Sequence, residues 1–254
     1  MSLQGRFAEL ARSWGRGALV TMMQGPAPGA RLLVLPDGST EGSLGDEALE
    51  RAAAAHAEEL MWAERSEQRE EGDVLLFVDV AFPPPRLVVF GAIDFAAQLC
   101  TLARTSGWRP YVVDPRGFFA RPDRFPDAEE VFATWPREAF DRLGGIDRAM
   151  SIAVLTHDPK LDDAALEIAL RSDAAFVGAM GSRRAQARRR ERLLAKGITD
   201  DELDRLSAPV GLDIGALTPE ETALSIMSEV VAVRRGRGGG RLSQAQGRIH
   251  EVGA

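Results

Sequence analysis

The spacing of apolar residues switches repeatedly between helical and strand-like along this chain, and the switches predict its elements. At 6–14, RFAELARSW, apolar residues recur at helical spacing, which predicts a short amphipathic helix. ALVTMM (18–23) and RLLVLPDG (31–38) are short apolar runs and predict strands, the second closed by the Asp37-Gly38 turn signal. DEALERAAAAHAEELMWAERS (46–66), rich in Ala, Leu and Glu, predicts a long helix. Asp46 and Glu47 stand at its start, where the helix dipole favours negative charge. DVLLFVDV (73–80) predicts a buried strand.

AFPPPRL (81–87) then interrupts the pattern. Three consecutive prolines give a stiff extended segment that neither a helix nor a central strand accepts. Beyond it, apolar runs and helical periodicity alternate. Strands are predicted at 86–91, 110–115, 129–134, 149–158 and 174–181. Helices are predicted at 94–106, 136–144 (Pro136 in the first position), 161–172, 182–197, 199–206 and 218–235. Alternation of this kind means a parallel sheet covered by helices on both faces. With right-handed crossovers it becomes a doubly wound, Rossmann-like sheet. The expected fold class is therefore α/β. A small N-terminal α+β domain occupies 1–80, a proline hinge 81–85, a Rossmann-like domain 86–235, and a mobile Gly-rich tail 236–254.

Composition narrows the functions. The net charge of −7 argues against nucleic acid, whose binders carry a basic face. No apolar run is long enough to span a membrane, and MSLQGRFAEL lacks the pattern of a signal peptide, so a cytoplasmic protein is expected. Cys100 is the single cysteine and His56, His157 and His250 are the only histidines, so no structural metal site is expected.

Ligands of a doubly wound sheet bind outside the carboxyl ends of its strands. The first such end, VVFGAIDFAAQLC (88–100), begins like a dinucleotide fingerprint and breaks it. Gly91 supplies the turn, but Ile93 stands at the second glycine position, Asp94 follows, and Ala96 fills the third. Bulk and negative charge there oppose a pyrophosphate, so NAD(P) is disfavoured. Asp114 ends the second strand, where an acid holds a ribose hydroxyl, and Arg116 can instead hold a phosphate.

LTHDPKLD (155–162) puts His157 and Asp158 at a third strand end. They can form part of a polar site, or Asp158 can simply open a turn with His157 packed at the rim. GAMGSRRAQARRRER (178–192) offers Gly181, a Ser182 cap, Arg183 and Arg184, a combination that suits a phosphate. For Arg188, Arg189, Arg190 and Arg192 a solvated basic face is expected. In GLDIGALTPEETALS (211–225), Thr218 to Glu221 are explained as a capping box, whereas Asp213 in its glycine-flanked loop is a candidate for the pocket mouth.

Taken in order, VVFGA, GWRPYVVDPR, LTHDPKLD, AAFVGAMGSRR and GLDIGALTPEETALSIMSEVVAVR resemble the XdhC/CoxI family, accessory factors of molybdenum hydroxylases such as xanthine dehydrogenase. The resemblance implies a Rossmann-type second domain. It also implies a role in binding the molybdenum cofactor (molybdopterin), protecting it during sulfuration, and passing it to the apo-enzyme. It implies a molybdenum hydroxylase partner and a homodimer. With the strand-end residues read above, the candidate cofactor-binding set is Gly91, Asp114, His157, Asp158, Gly181, Ser182, Arg183, Arg184 and Asp213.

The first domain departs from the family pattern. GSLGDEALE (42–50) keeps Gly42, Ser43 and Glu50, but Ala48 replaces a cysteine, and Asp46 and Glu47 replace glycines. Ile93 and Asp94 depart from the family's G-A-G-H as well. Two other functions follow from the same residues: an NAD(P)-dependent oxidoreductase, or an interaction module that has lost its ligand.

Overall fold

The computed structural model describes residues 1–246; His250 and the end of the Gly-rich tail lie outside the described residues. The chain divides into two compact units, Met1–Pro84 and a second from Pro85 onward.

The first unit runs α1 (Leu3–Arg12), β1 (Gly17–Gln24), β2 (Arg31–Val34), β3 (Thr40–Ser43), α2 (Glu47–Ala63), β4 (Glu67–Glu71) and β5 (Val74–Ala81). Its strands form one antiparallel sheet in the order β3-β2-β1-β5-β4. Alternate residues of β1, Ala18, Val20 and Met22, face α2 and pack with Ala53, Ala57, Leu60 and Met61. The alanines give α2 a smooth face that lies close on the sheet. Asp46 caps the helix by accepting the Leu49 amide at 2.8 Å. The helix stops at Ala63, short of the expected 66, because Glu64 turns left-handed (φ 53°) and its buried carboxylate pairs with Arg16 at 3.1 Å. Two strands were not expected. β3 (TEGS) and β4 (EQREE) carry no apolar alternation, because they are the edges of the sheet, where charge deters pairing with another chain.

The second unit runs β6 (Arg86–Phe90), α3 (Asp94–Thr105), β7 (Arg109–Val113), β8 (Glu130–Phe132), α4 (Pro136–Arg142), β9 (Met150–Val154), α5 (Pro159–Leu170), β10 (Phe176–Ala179), α6 (Arg183–Ala195), α7 (Asp200–Asp204), β11 (Leu206–Ser207) and α8 (Pro219–Arg234). All six strands are parallel, in the order β8-β7-β6-β9-β10-β11. Counted from the first strand of the unit this is 3-2-1-4-5-6, the Rossmann order. β6 shows how the sequence builds two layers. Leu87 and Val89 face the core shared with α3 and α8, while Val88 and Phe90 face the core shared with α4, α5 and α6. The fold is thus α/β, with a Rossmann-like parallel sheet and a separate antiparallel one.

Two of the differences from expectation change the ends of the parallel sheet. β9 ends at Val154 rather than 158, because Thr156 to Asp158 form the turn into α5. Leu206, expected at the end of a helix, instead forms β11 with Ser207, beside Val177 and Gly178. Among the described residues no helix is long and apolar enough to cross a membrane.

Candidate functional site

Strand order reverses between β6 and β9, so the loops after these two strands frame the crevice where such sheets bind ligands. Gly91 follows β6 with φ +111°, and a Cβ there would lie 2.9 Å from the Thr156 amide nitrogen after β9. Only glycine lets the two loops touch. Thr156 Oγ1 accepts the Asp158 amide at 2.8 Å, and Asp158 caps α5 by accepting the Lys160 amide at 2.9 Å. His157 is exposed between them. Gly91, His157 and Asp158 therefore meet at one edge of the sheet.

Asp114, after β7, is fully buried. Its Oδ2 accepts the Ala92 amide at 3.0 Å and Arg116 Nη2 at 2.7 Å. Its Oδ1 accepts the Arg116 amide at 3.0 Å and Arg116 Nε at 2.9 Å. Burial alone pushes this carboxyl up, but the Arg116 fork and the two amides outweigh it and hold it below its ordinary value. Arg116 is pushed up by its hydrogen bonds to Asp114, with Asp158 close enough to add to the effect. Its guanidinium lies 4.7 Å from the centre of the Phe119 ring.

The fingerprint turn is held by a residue that sequence inspection missed. Arg124 Nη1 donates to the carbonyls of Ala92 and Phe119, both at 3.0 Å, and its Nη2 pairs with Asp94 at 3.1 Å. Ile93 is the N-cap of α3 and supplies no side-chain cap; it packs against the α3–α8 core. No sequence signal marks Arg124, because its main acceptors are backbone carbonyls, which any residue carries.

At the end of β10, Gly181 (φ +136°) leads into α6, which Ser182 caps by accepting the Ala185 amide at 3.3 Å. Arg183 and Arg184 are exposed in the first turn. Gln186 Nε2 donates to the carbonyls of Ala179 (3.4 Å) and Gly181 (3.3 Å), so the turn is fixed from below. The expectation of a solvated face fails for Arg189. It is buried, and its Nη2 donates to Asp162 on α5 at 2.7 Å and to the Met180 carbonyl at 3.0 Å. Arg192 is half-buried and forks onto Asp163 at 2.9 Å. The basic helix is thus pinned to α5 along one side.

Asp213 sits on a loop that starts at the same end of the sheet, since the Val210 amide donates to Ala179 at 3.0 Å. Gly211 (φ +115°) lies flat on α8, where a Cβ would come 2.4 Å from Ser225 Oγ. Its amide donates to Glu229 at 2.6 Å, and Ser225 donates to the Leu212 carbonyl at 2.6 Å. The loop is anchored at Gly211 and Leu212, and Asp213 is exposed beyond the anchor. Thr218 and Glu221 form the capping box of α8.

Among the described residues no group of three or more His, Cys, Asp or Glu could hold a metal ion. Cys100 is buried in α3, and burial pushes its thiol up to about 12. In the first unit Glu50 accepts the Ser43 hydroxyl at 2.6 Å and the Leu44 amide at 2.8 Å, which shapes the 42–50 loop; Ala48 is exposed in the first turn of α2.

Order of strands and placement of loops define the second unit as a Rossmann-type domain whose fingerprint turn is braced by its own side chains. Comparison with known proteins makes the assignment specific. Residues 87–230, more than half of the chain, match the XdhC Rossmann domain, and residues 10–72 match the XdhC and CoxI family. The chain belongs to the XdhC/CoxI family.

It is 28% identical over 90% of its length to the molybdenum cofactor insertion chaperone PaoD of Escherichia coli, covering 87% of that protein. It is also 28% identical, over 63% of its length, to a probable xanthine dehydrogenase subunit of Bacillus subtilis. The chain spans less than half of that protein, 46%, and 42% of an uncharacterized Escherichia coli relative. A crystal structure described as a xanthine dehydrogenase from Bacillus halodurans superposes with a TM-score of 0.64 at 25% identity, covering 91% of this chain and 66% of the other.

Proposed function

We propose that this chain is a maturation factor for a molybdenum hydroxylase, binding the phosphorylated pterin of the molybdenum cofactor as its cargo and presenting it to the apo-enzyme. The observation that carries this is the similarity to a molybdenum cofactor insertion chaperone across nearly the whole of both chains. The donor set suits such a cargo. The pterin phosphate is assigned to the start of α6, where Gly181 opens the backbone, Ser182 presents a hydroxyl, and Arg183 and Arg184 supply charge. His157, Asp158 and Asp213 stand at the same sheet edge, where they can read polar edges of the remaining cargo.

Direct sulfur transfer through a thiol of this chain is not part of the proposal. Ala48 carries no sulfur, and Cys100 is buried with a raised thiol pKa. Help with sulfuration then consists of holding and shielding the cargo. NAD(P) is disfavoured, because Asp114 already accepts from Ala92 and Arg116, and Asp94 places a carboxylate in the first turn of α3. A homodimer is proposed as the working form. Sedimentation velocity over a wide concentration range should show a dimer, and a concentration-independent monomer would count against it.

A charge-assisted arginine contact is worth about 1.5–3 kcal/mol. Replacing the better placed of Arg183 and Arg184 with alanine should therefore weaken cofactor binding roughly ten- to a hundredfold, measured by titration of the purified chain with isolated cofactor. Unchanged affinity in Arg183→Ala, Arg184→Ala and the double variant would remove the phosphate from α6.

A further inference from the structure

Asp114 occupies the place from which a Rossmann domain reads a ribose, yet it has no capacity left to do so. A carboxylate offers about four lone-pair sites. The Ala92 amide and the Arg116 amide, Nε and Nη2 take four. What the carboxylate does instead is fix the Arg116 guanidinium in one plane. The guanidinium carbon lies over the Phe119 ring, 4.7 Å from its centre, and the Phe119 carbonyl is tied through Arg124 to the fingerprint turn.

Arg116 nevertheless remains 45% exposed, and its Nη1 donates to no described protein group. Phe118 beside it is 78% exposed and meets Phe119 edge-on at 5.5 Å. An arginine held this firmly, with one edge unused and an exposed aromatic neighbour, is built for something outside the fold. A solvated surface arginine needs neither the fork nor the ring behind it.

We infer that Arg116, aimed by Asp114 and backed by Phe119, is the seat for a flat heteroaromatic ring bearing a carbonyl oxygen or carboxylate, of the pterin class. The ring meets the free edge of the guanidinium, beside the exposed Phe118, and its oxygen accepts from Nη1 in the guanidinium plane. Aromatic neighbours and hydrogen bonds to ring edges hold flat heterocycles elsewhere in biology. This seat rests on the cofactor function proposed above and places the ring end of the cargo after β7, across the crevice from the phosphate at α6. Arg116 is the binding residue; Phe119, behind the guanidinium, and Asp114 are positioning residues.

The test is a fluorescence titration of the full chain with 6-carboxypterin, which has the ring and one carboxylate but no phosphate, with ADP as the comparison. Wild type should bind 6-carboxypterin saturably and ADP at least tenfold more weakly. Arg116→Ala and Phe119→Leu should each lose tenfold or more. Arg116→Lys should lose as much as alanine, since it keeps the charge but not the plane; full retention by lysine would reduce the site to simple charge attraction and overturn the inference. Asp114→Asn should act through Arg116, so that adding it to Arg116→Ala costs nothing further. If Asp114→Asn fails to fold, Arg116→Lys and Phe119→Leu decide alone.

Arg183→Ala and Arg184→Ala should leave 6-carboxypterin binding unchanged. If whole cofactor binds wild type, Arg116→Ala and Phe119→Leu equally, the ring seat is wrong while the cofactor function stands. If wild type binds neither 6-carboxypterin nor cofactor, both fall.

Discussion

Gly91 concentrates the requirements of the crevice in one residue. Its φ of +111° is costly for any side chain, and the missing Cβ would sit 2.9 Å from the Thr156 nitrogen. Gly91→Ala should destabilise the chain by about 1–3 kcal/mol, and more if Thr156 cannot yield. Urea denaturation gives the stability, and the same variant should bind cofactor more weakly, because the loops after β6 and β9 must part. Wild-type stability in this variant would mean that the two loops do not touch in solution.

Residues of this kind were readable in part. Gly91, Gly181 and Ser182 announce themselves, since turn and capping chemistry leave few residue choices. The roles of Asp114 and Arg124 do not. The residue type of Asp114 fits a ribose acceptor, and only the geometry shows its oxygens filled by Ala92 and Arg116.

At the scale of elements, the pair α5 and α6 carries the clearest energetic statement. Asp162 and Arg189 are both almost wholly buried and joined at 2.7 Å. Burial pushes the Asp162 carboxyl up, and Arg189 opposes that shift without cancelling it. Removing one partner strands the other charge, so Arg189→Met should cost about 3–5 kcal/mol. Asp162→Leu combined with Arg189→Met should recover much of that, since an apolar pair carries no desolvation penalty. Denaturant melts of the single and double variants measure it, and equal losses in the two would contradict a buried pair.

Asp162 also fixes where protonation matters. Its folded pKa is raised, so holding it ionised opposes folding above that pKa and the opposition fades as the pH falls through it. Arg189 further holds the Met180 carbonyl, so the same variant loosens the turn that carries Ser182. Composition hid this pair. A helix with arginine at 183, 184, 188, 189, 190 and 192 reads as solvated, and one inward arginine differs from its neighbours only by what α5 places opposite it. β3 and β4 were hidden for a related reason: edge strands have no partner on one side and so need no apolar alternation.

At the scale of the molecule, the alternation of strands and helices after the prolines was enough to give the Rossmann-like sheet, because parallel pairing and right-handed crossovers leave few topologies. The ligand was less legible. The sheet edge is common to many functions, and what separates them here is which side chains are already engaged by the fold. Asp94 and Asp114 are engaged in the braced fingerprint turn, whereas Arg116, Arg183, Arg184 and Asp213 present exposed groups at the strand ends. The cargo proposed above, a phosphorylated pterin, would use those exposed groups. The most direct measurement is to purify the chain from a molybdenum-replete host and assay the bound small molecules by mass spectrometry, alongside Arg183→Ala and Arg184→Ala. Wild type should carry a phosphorylated pterin with molybdenum, and at least one arginine variant should carry clearly less. A chain that carries no pterin and takes up none on titration would contradict the account and leave an interaction module in its place.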